Sequence, residues 1–259
     1  MHAVPEYALA LRHDSRRAGS PGCSVNDASM LTLLQHAFCP HSRFVRLALA
    51  EHGLETRLVE ERTWERREAF LELNPAGTTP VLVEEGHPPV PGATIIAEYL
   101  DETRGAGLQE RRLMPEDPIA RVEVRRLTGW FNDKFFAEVS GPMVMERCYK
   151  RHMRIEQGGG PPDTDAIRAA RTNIRYHLAY IGWLVRTRNW LAGENMSYAD
   201  LAAAAHLSSV DYVGDVPWSE DEAAKIWYAR VKSRPSFRPL LADTLPGVPP
   251  SSTYANLDF

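Results

Sequence analysis

The order of predicted elements changes after residue 104, and this change constrains the fold more than any single motif does. Residues 30–104 alternate short β-favourable runs with helical segments in the order β-α-β-α-β-β-α. Residues 105–115 form a linker rich in glycine and charge, and residues 116–245 carry apolar side chains at helical spacing. The pattern predicts an α/β N-terminal domain followed by an all-α C-terminal domain, with residues 246–259 as an extended tail.

Residues 1–29 form a separate segment with a composition of its own. They lack the continuous apolar run of a signal peptide. Glycine, serine, arginine and aspartate are frequent and no periodicity is visible, which predicts a disordered extension. Met30 directly precedes the first predicted strand and is therefore a candidate alternative start of translation.

Composition argues against several classes of function. The formal net charge of -4 gives no indication of nucleic-acid binding, and no apolar run approaches the roughly 18 residues that a membrane-spanning helix needs. Cys23, Cys39 and Cys148 have neither metal-ligand nor disulfide spacing, and the histidines form no metal-binding motif. The sequence therefore predicts a cytoplasmic protein with no metal site, no membrane span and no nucleic-acid partner.

Four stretches resemble glutathione transferases. FCPHSRFVRLALAEHGL, NPAGTTPVLVEEG and IIAEYLDE resemble the thioredoxin-like domain of that superfamily, and SYADLAAAAHL resembles its capped, buried helix. The resemblance extends from about Met30 to Leu240 and implies the glutathione transferase fold, with a thioredoxin-like domain over residues 30–104 and a helical domain over residues 116–245. It also implies that the Thr79–Pro80 peptide bond is cis, beside a backbone segment that holds a peptide-like ligand.

A narrower resemblance involves the end of the chain. HLSSVDYVGDVPW, SRPSFRPLLADTLPG and the ending YANLDF resemble a bacterial family of transferase-like cell-division proteins that bind FtsZ. Membership would imply a cytoplasmic homodimer at the division site that binds FtsZ filaments and modulates their curvature, as a pseudoenzyme without a cofactor. Trp64, which is flanked by charged residues, and the terminal Asp258 and Phe259 are the candidate partner-binding residues, although Trp64 is equally well explained by packing over the domain interface.

The polar pair that normally grips glutathione is missing from the sequence. In the superfamily a Glu-Ser or Asp-Ser pair caps the third helix and holds the γ-glutamyl carboxylate, but here that pair falls on Gly92-Ala93. Losing a charge-assisted hydrogen bond costs about 1.5–3 kcal/mol, which predicts weak or absent glutathione binding. Thr94 would compensate only if the helix began later than predicted or the alignment slipped by one residue. Under the alternative of a working enzyme, Pro80, Ala93 and Thr94 would contact the glutathione cofactor.

Cys39 is the main feature that favours an enzyme. Cys39-Pro40-His41-Ser42 has the CxxS spacing of monothiol glutaredoxins and resembles the CP pair of omega-class transferases. A thiol directly before a helix N-terminus has a lowered pKa, and we expect His41 and Arg43 to lower it further. The alternative function is therefore a glutathione-dependent thiol transferase with Cys39 as nucleophile. Ser42 is a second candidate nucleophile, or simply a helix cap.

The remaining candidates have simpler interpretations. His36, His52 and His206 are single histidines beside apolar residues, which predicts structural roles, and Cys148 is expected to serve packing. Two groups of arginines at helical spacing predict solvated faces, or a surface that steers an acidic partner: Arg125 and Arg126, and Arg168, Arg171 and Arg175.

Overall fold

A computed structural model of the protein describes residues 31–257. The predicted N-terminal extension (residues 1–29) and Met30 lie outside the described residues. The same is true of Asp258 and Phe259, so their predicted contacts with a partner stay predictions.

Four strands and three helices build the N-terminal domain. The strands are β1 (Leu31–Gln35), β2 (Thr56–Glu60), β3 (Val81–Val83) and β4 (Val90–Pro91). The helices are α1 (Pro40–Glu51), α2 (Glu68–Leu73) and α3 (Ala93–Arg104). The sheet has the order β2-β1-β3-β4, with β1 parallel to β2 and antiparallel to β3. The predicted β-α-β-α-β-β-α order is therefore confirmed.

Strand β1 is central because both of its faces are covered. Leu33 packs into the main core with Phe44 of α1, whereas Leu34 packs on the opposite face with Phe70 of α2. A largely apolar run such as Leu31–Leu34, in which Thr32 is the one polar residue, is typical of a strand buried on both faces. The carboxyl end of β1 leads directly into α1, which places Cys39 at the junction of the two.

The C-terminal domain is helical throughout, as predicted. Its α-helices are α4 (Pro118–Gly129), α5 (Gly141–Val144), α6 (Thr164–Thr187), α7 (Tyr198–Tyr212), α8 (Glu222–Lys232) and α9 (Arg238–Leu241). Two π-helical segments, Trp130–Ser140 and Met145–Tyr149, lie on either side of α5. Short 3-10 turns in this domain cover Lys150–His152, Ile155–Gln157, Trp218–Glu220 and Pro235–Phe237. Two more lie before it, at Thr63–Glu65 and Gly105–Arg111. Between residues 31 and 257, no helix combines the length and the apolar character that crossing a bilayer requires.

Helix α7 forms the centre of the helical domain, since all fifteen of its residues are buried. Its start is the predicted capping box. Asp200 accepts hydrogen bonds from the backbone N–H and the hydroxyl of Ser197, and two further hydrogen bonds from the backbone N–H of Leu191 and the indole of Trp227. Asp117 caps α4 by accepting from the Ala120 N–H at 2.7 Å. The capped start of α7 is therefore confirmed, and a side-chain cap also begins α4.

Arg43 joins the two domains and does not act on Cys39, so that prediction is wrong. Its guanidinium is fully buried and donates to the Ala37 carbonyl, to the Ser208 hydroxyl at 2.9 Å and to Asp243 at 3.2 Å. The reason is its position on α1, which turns the side chain toward α7 rather than toward the thiol.

The tail is docked on the helical domain as far as it is described. Tyr254 is buried, and its hydroxyl donates to the Leu240 carbonyl at 2.5 Å. The ammonium of the buried Lys232 donates to the carbonyls of Thr253 at 2.6 Å and Asn256 at 2.9 Å. The described part of the tail is therefore packed on the body of the protein.

The predicted basic faces carry their own counter-charges. The five arginines are exposed at their side chains, and each forms an ion pair with a neighbouring carboxylate. The pairs are Arg125–Glu98, Arg126–Glu123, Arg168–Asp165, Arg171–Asp215 and Arg175–Glu220. The solvated-face interpretation is therefore the better one, because paired charges attract a distant acidic partner weakly.

Candidate functional site

A cleft of about 910 Å³ lies between the N-terminal domain and the π-helical segments of the C-terminal domain. It brings together four of the predicted site residues, Cys39, Trp64, Ala93 and Thr94. Pro80 is buried directly behind the lining residue Thr79, across the cis peptide bond that the sequence predicted.

Cys39 lies at the floor of this cleft, at the N-cap of α1. The helix starts where the extended backbone of Cys39 meets Pro40, the first helical residue. The Cys39 side chain lines the cleft at this point. The Sγ atom is 3.8 Å from the Thr79 carbonyl oxygen. The thiol is thus placed beside the cis-proline segment, as expected for this fold.

His41 is held in one orientation beside the thiol. Its Nε2 lies 2.8 Å from the backbone carbonyl oxygen of Asn132, and its ring packs against Phe136 at 4.4 Å between centroids. A carbonyl oxygen only accepts, so Nε2 carries the proton and Nδ1 remains for the hydrogen bond with Cys39. Asn132 and Phe136 belong to the π-helical segment, and such segments often occur at functional sites.

The thiol and the imidazole stabilise each other's charged forms. Burial raises the pKa of the Cys39 thiol, but the hydrogen bond and charge of His41, with hydrogen bonds from Ser42, outweigh burial and lower that pKa to about 7. Burial lowers the pKa of His41, but contacts with Cys39 and the Asn132 carbonyl outweigh it and raise the pKa. The pair is therefore suited to hold a thiolate near neutral pH.

The His41→Gln variant tests this pairing. We expect the rate of Cys39 alkylation by iodoacetamide in the natural chain to rise with pH and reach half its maximum near pH 7. Without the imidazolium, burial again dominates and the thiolate forms at higher pH, so the rate at pH 7 should fall at least about tenfold. Peptide mapping by mass spectrometry as a function of pH measures this.

The Cys148 thiol is an internal control for that experiment. It is fully buried, and burial raises its pKa to about 12, so its alkylation should stay slow in both proteins. An unchanged pH profile at Cys39 in the His41→Gln variant would contradict the assigned pairing.

Ser42 is not positioned as a nucleophile or as the helix cap. It is fully buried, lies in the first turn of α1 after the N-cap Cys39, and its hydroxyl accepts from the His36 N–H at 3.4 Å. The predicted cap is wrong because α1 begins at Pro40, two residues before Ser42, and Cys39 is its N-cap.

The start of α3 offers backbone groups only. Gly92 is the N-cap with a φ of 91°, a left-handed conformation that glycine adopts without strain. Helix α3 begins at Ala93, so Thr94 lies inside the helix and does not become a substitute cap. The Thr94 hydroxyl instead accepts a hydrogen bond from the Asn132 side chain at 3.4 Å. The start of α3 therefore offers no side chain to the γ-glutamyl carboxylate of glutathione. Arg66 is the one Lys or Arg among the lining residues of the cleft, and it lies in the segment between β2 and α2.

Trp64 is half-buried and forms part of the cleft wall. Its ring lies 5.5 Å from His36 and 5.0 Å from Tyr149 of the helical domain, measured between centroids. The interpretation as packing over the domain interface is therefore correct for one side of the ring. A role in partner binding stays a prediction.

The helical side of the cleft was missed by sequence reasoning. Asn132, Phe136, Met145 and Tyr149 all line it, and they come from the two π-helical segments. No motif marks them, because a π-helical turn shifts the side-chain register in a way that 3.6-residue periodicity does not reveal. The nearest signal was the density of aromatic residues in WFNDKFF.

The structure agrees with the structural roles predicted for His36, His52 and His206 and with the packing role predicted for Cys148. His52 hydrogen-bonds the Tyr198 hydroxyl at 2.8 Å, and the buried His206 joins Ser140 at 2.7 Å and the Asn132 side chain at 3.1 Å. Buried His36 accepts from the Phe38 N–H at 3.2 Å and also borders the cleft. Over residues 31–257, no cluster of three or more His, Cys, Asp or Glu side chains has the arrangement of a metal site.

Comparison with known proteins gives consistent matches over most of the chain. The family models of the glutathione S-transferase N-terminal and C-terminal domains match residues 38–103 and 124–235. FtsZ-localized protein A of Caulobacter vibrioides is 47% identical over 231 residues, which cover 88% of this chain and 98% of that protein.

Two solved structures cover 89% of this chain and 100% of their own. One is a glutathione S-transferase from Sinorhizobium meliloti 1021, with 55% identity and a TM-score of 0.87. The other is FzlA from C. crescentus, with 46% identity and a TM-score of 0.81.

Proposed function

This chain belongs to the glutathione S-transferase family, and within it we propose a non-enzymatic cell-division protein that binds FtsZ filaments as a homodimer and modulates their curvature. The observation that carries the proposal is the 47% identity to FtsZ-localized protein A across 98% of that protein. Such a protein acts in the cytoplasm at the division site.

The start of α3 supports a role without glutathione. Gly92 and Ala93 provide no side chain for the γ-glutamyl carboxylate, and Thr94 is hydrogen-bonded to Asn132. Backbone N–H groups at a helix N-terminus attract anions, but without a charge-assisted side-chain bond the affinity falls roughly tenfold to a hundredfold. We therefore expect this cleft to bind glutathione weakly at most.

An exposed aromatic surface supports the dimer. Val122, Tyr176 and Trp183 are 60%, 60% and 53% exposed, and they lie on the outer sides of α4 and α6. Trp130 lies 6.3 Å from Tyr176 and 4.8 Å from Tyr180, and Tyr180 stacks on Trp183 at 6.1 Å, all measured between ring centroids. We call Trp130, Tyr176, Tyr180 and Trp183 the aromatic face. Contiguous exposed apolar surface marks a site of association, and a surface on two helices of the same protomer suits a two-fold interface.

A dimer explains how binding changes curvature. Two copies of one partner-binding surface at a fixed separation engage neighbouring FtsZ subunits or filaments at the same time, and the second contact benefits from effective concentration. The fixed angle between the two surfaces then bends or joins the filaments.

The Trp64→Ala variant tests the partner surface. If Trp64 contacts FtsZ, its loss should weaken co-sedimentation with FtsZ polymers by roughly 30-fold, corresponding to about 2 kcal/mol for a hot-spot aromatic. Asp258→Ala and Phe259→Ala are tested in the same assay.

Ile226→Ala is the matched control, because Ile226 is 61% exposed on α8 and does not line the cleft. Equal pelleting of the Trp64, Asp258 and Phe259 variants with the natural chain would remove all three from the partner surface.

The second candidate function is a thiol transferase with Cys39 as nucleophile. The lowered pKa of Cys39 and the orientation of His41 favour it. A glutathione-coupled disulfide reductase assay distinguishes the two functions. Activity that is lost in Cys39→Ala would support the enzyme, whereas activity at background in the natural chain would discard it.

A further inference from the structure

The cleft combines a reactive thiol with an apolar wall. Trp64, Phe136, Val144, Met145 and Tyr149 line it above Cys39, and we call these five residues the apolar wall. Few of the lining residues are charged: they are Arg66, Asp133 and Glu156, and the other titratable groups are His36, His41, Cys39 and Tyr149. A volume of about 910 Å³ is ample for a small organic molecule.

We infer that Cys39 is a site of reversible thiolation by small, neutral aromatic disulfides, whose retained half packs against the apolar wall. Both sources of selectivity are geometric. The thiol lines a cleft whose wall carries aromatic and methionine side chains, which favour flat apolar groups. The start of α3, by contrast, offers an anionic disulfide such as glutathione disulfide no side-chain partner at Gly92 or Ala93.

The chemistry is a thiol–disulfide exchange. The Cys39 thiolate attacks one sulfur of the disulfide, a bond forms between Sγ and that sulfur, and the original S–S bond breaks. The second half leaves as a thiolate and takes up a proton, which the His41 imidazolium can supply from Nδ1. No electrons are gained or lost overall, because the incoming disulfide is the oxidant and one of its sulfurs leaves reduced. A free thiol reverses the reaction by the same path.

The thiolated state should be sensed at Trp64. This part of the inference rests on the proposed function. Trp64 lines the same cleft as Cys39, and its ring packs against His36 and Tyr149. A group attached to Cys39 would pack against the indole as part of the apolar wall and cover surface that Trp64 otherwise offers to FtsZ.

The selectivity test compares two disulfides at pH 7. The full chain is treated with 4,4'-dithiodipyridine or with glutathione disulfide, and each rate is divided by the rate of the same disulfide with free N-acetylcysteine. Modified cysteines are identified by peptide mass mapping. We expect the normalised rate at Cys39 to be at least about tenfold higher for the aromatic disulfide, and Cys148 to stay unmodified.

Variants connect the preference to the apolar wall. Phe136→Ala and Met145→Ala should each reduce the normalised preference severalfold, whereas Ile226→Ala should leave it unchanged. Circular dichroism checks that each variant is folded. Equal normalised rates for the two disulfides, or a preference that survives both wall substitutions in folded protein, would overturn the inference.

Co-sedimentation with FtsZ polymers tests the coupling. Reduced protein should pellet, protein thiolated at Cys39 should pellet at least about tenfold less tightly, and dithiothreitol should restore binding. Equal pelleting of the reduced and thiolated forms would overturn the coupling. Reduced protein that fails to pellet would overturn the proposed function, while the selectivity at Cys39 is decided separately by the rate measurements.

Discussion

Asp200→Ala is expected to lower the free energy of unfolding by about 3–5 kcal/mol, the largest loss of stability that we predict. The buried carboxylate accepts four hydrogen bonds, from the Leu191 N–H, the Ser197 N–H and hydroxyl, and the Trp227 indole. Alanine leaves these donors buried without an acceptor and removes the capping box of α7, around which the helical domain packs. Urea denaturation followed by circular dichroism measures the change.

Asp117→Ala provides the matched control. Asp117 also caps a helix, but it is exposed and accepts one backbone hydrogen bond, from Ala120. Its loss should cost about 1 kcal/mol. Equal losses of unfolding free energy in the two variants would show that the buried hydrogen bonds of Asp200 stabilise the domain no more than an exposed helix cap does.

Trp183→Glu is expected to convert the proposed dimer into a monomer. An interface formed by two copies of the aromatic face contains Trp183 twice. Losing an anchor worth about 2 kcal/mol from each copy should weaken association by about 4 kcal/mol, or roughly 1000-fold. Glutamate also places two negative charges in one apolar interface, which adds to the loss. Sedimentation velocity over a range of protein concentrations gives the dissociation constant.

Ile226→Glu serves as the control, since Ile226 is similarly exposed but lies on α8, outside the aromatic face. An unchanged dimer in Trp183→Glu would place the interface elsewhere. A monomeric Trp183→Glu that still binds FtsZ is expected to leave filaments straight in electron micrographs, because one binding surface cannot join two subunits.

Local signals in the sequence were sufficient for the architecture and for part of the site. Short-range chemistry determines the capping box at Ser197–Asp200 and the Asp117 cap, and both are present. The cis bond before Pro80 was implied by the family resemblance, and it is also present. The absence of a polar pair at Gly92-Ala93 is also visible in the sequence, because it depends on residue identity at one helix start.

The parts that could not be predicted depend on contacts between distant segments. Arg43 is adjacent to the thiol motif in sequence, but α1 turns it toward Ser208 and Asp243, which are about 165 and 200 positions away. Asn132 and Phe136 contact His41, beside Cys39, through the packing of the two domains and a π-helical register. Neither effect leaves a periodic or compositional signal.

We propose that this member of the family acts on FtsZ filaments and not on glutathione. The most direct measurement is co-sedimentation of the full, reduced chain with FtsZ polymers at low salt, with the same preparation titrated with glutathione by calorimetry. We expect the chain to pellet only when polymer is present and the titration to show no tight binding. A chain that stays in the supernatant while glutathione binds tightly in the cleft would contradict the claim.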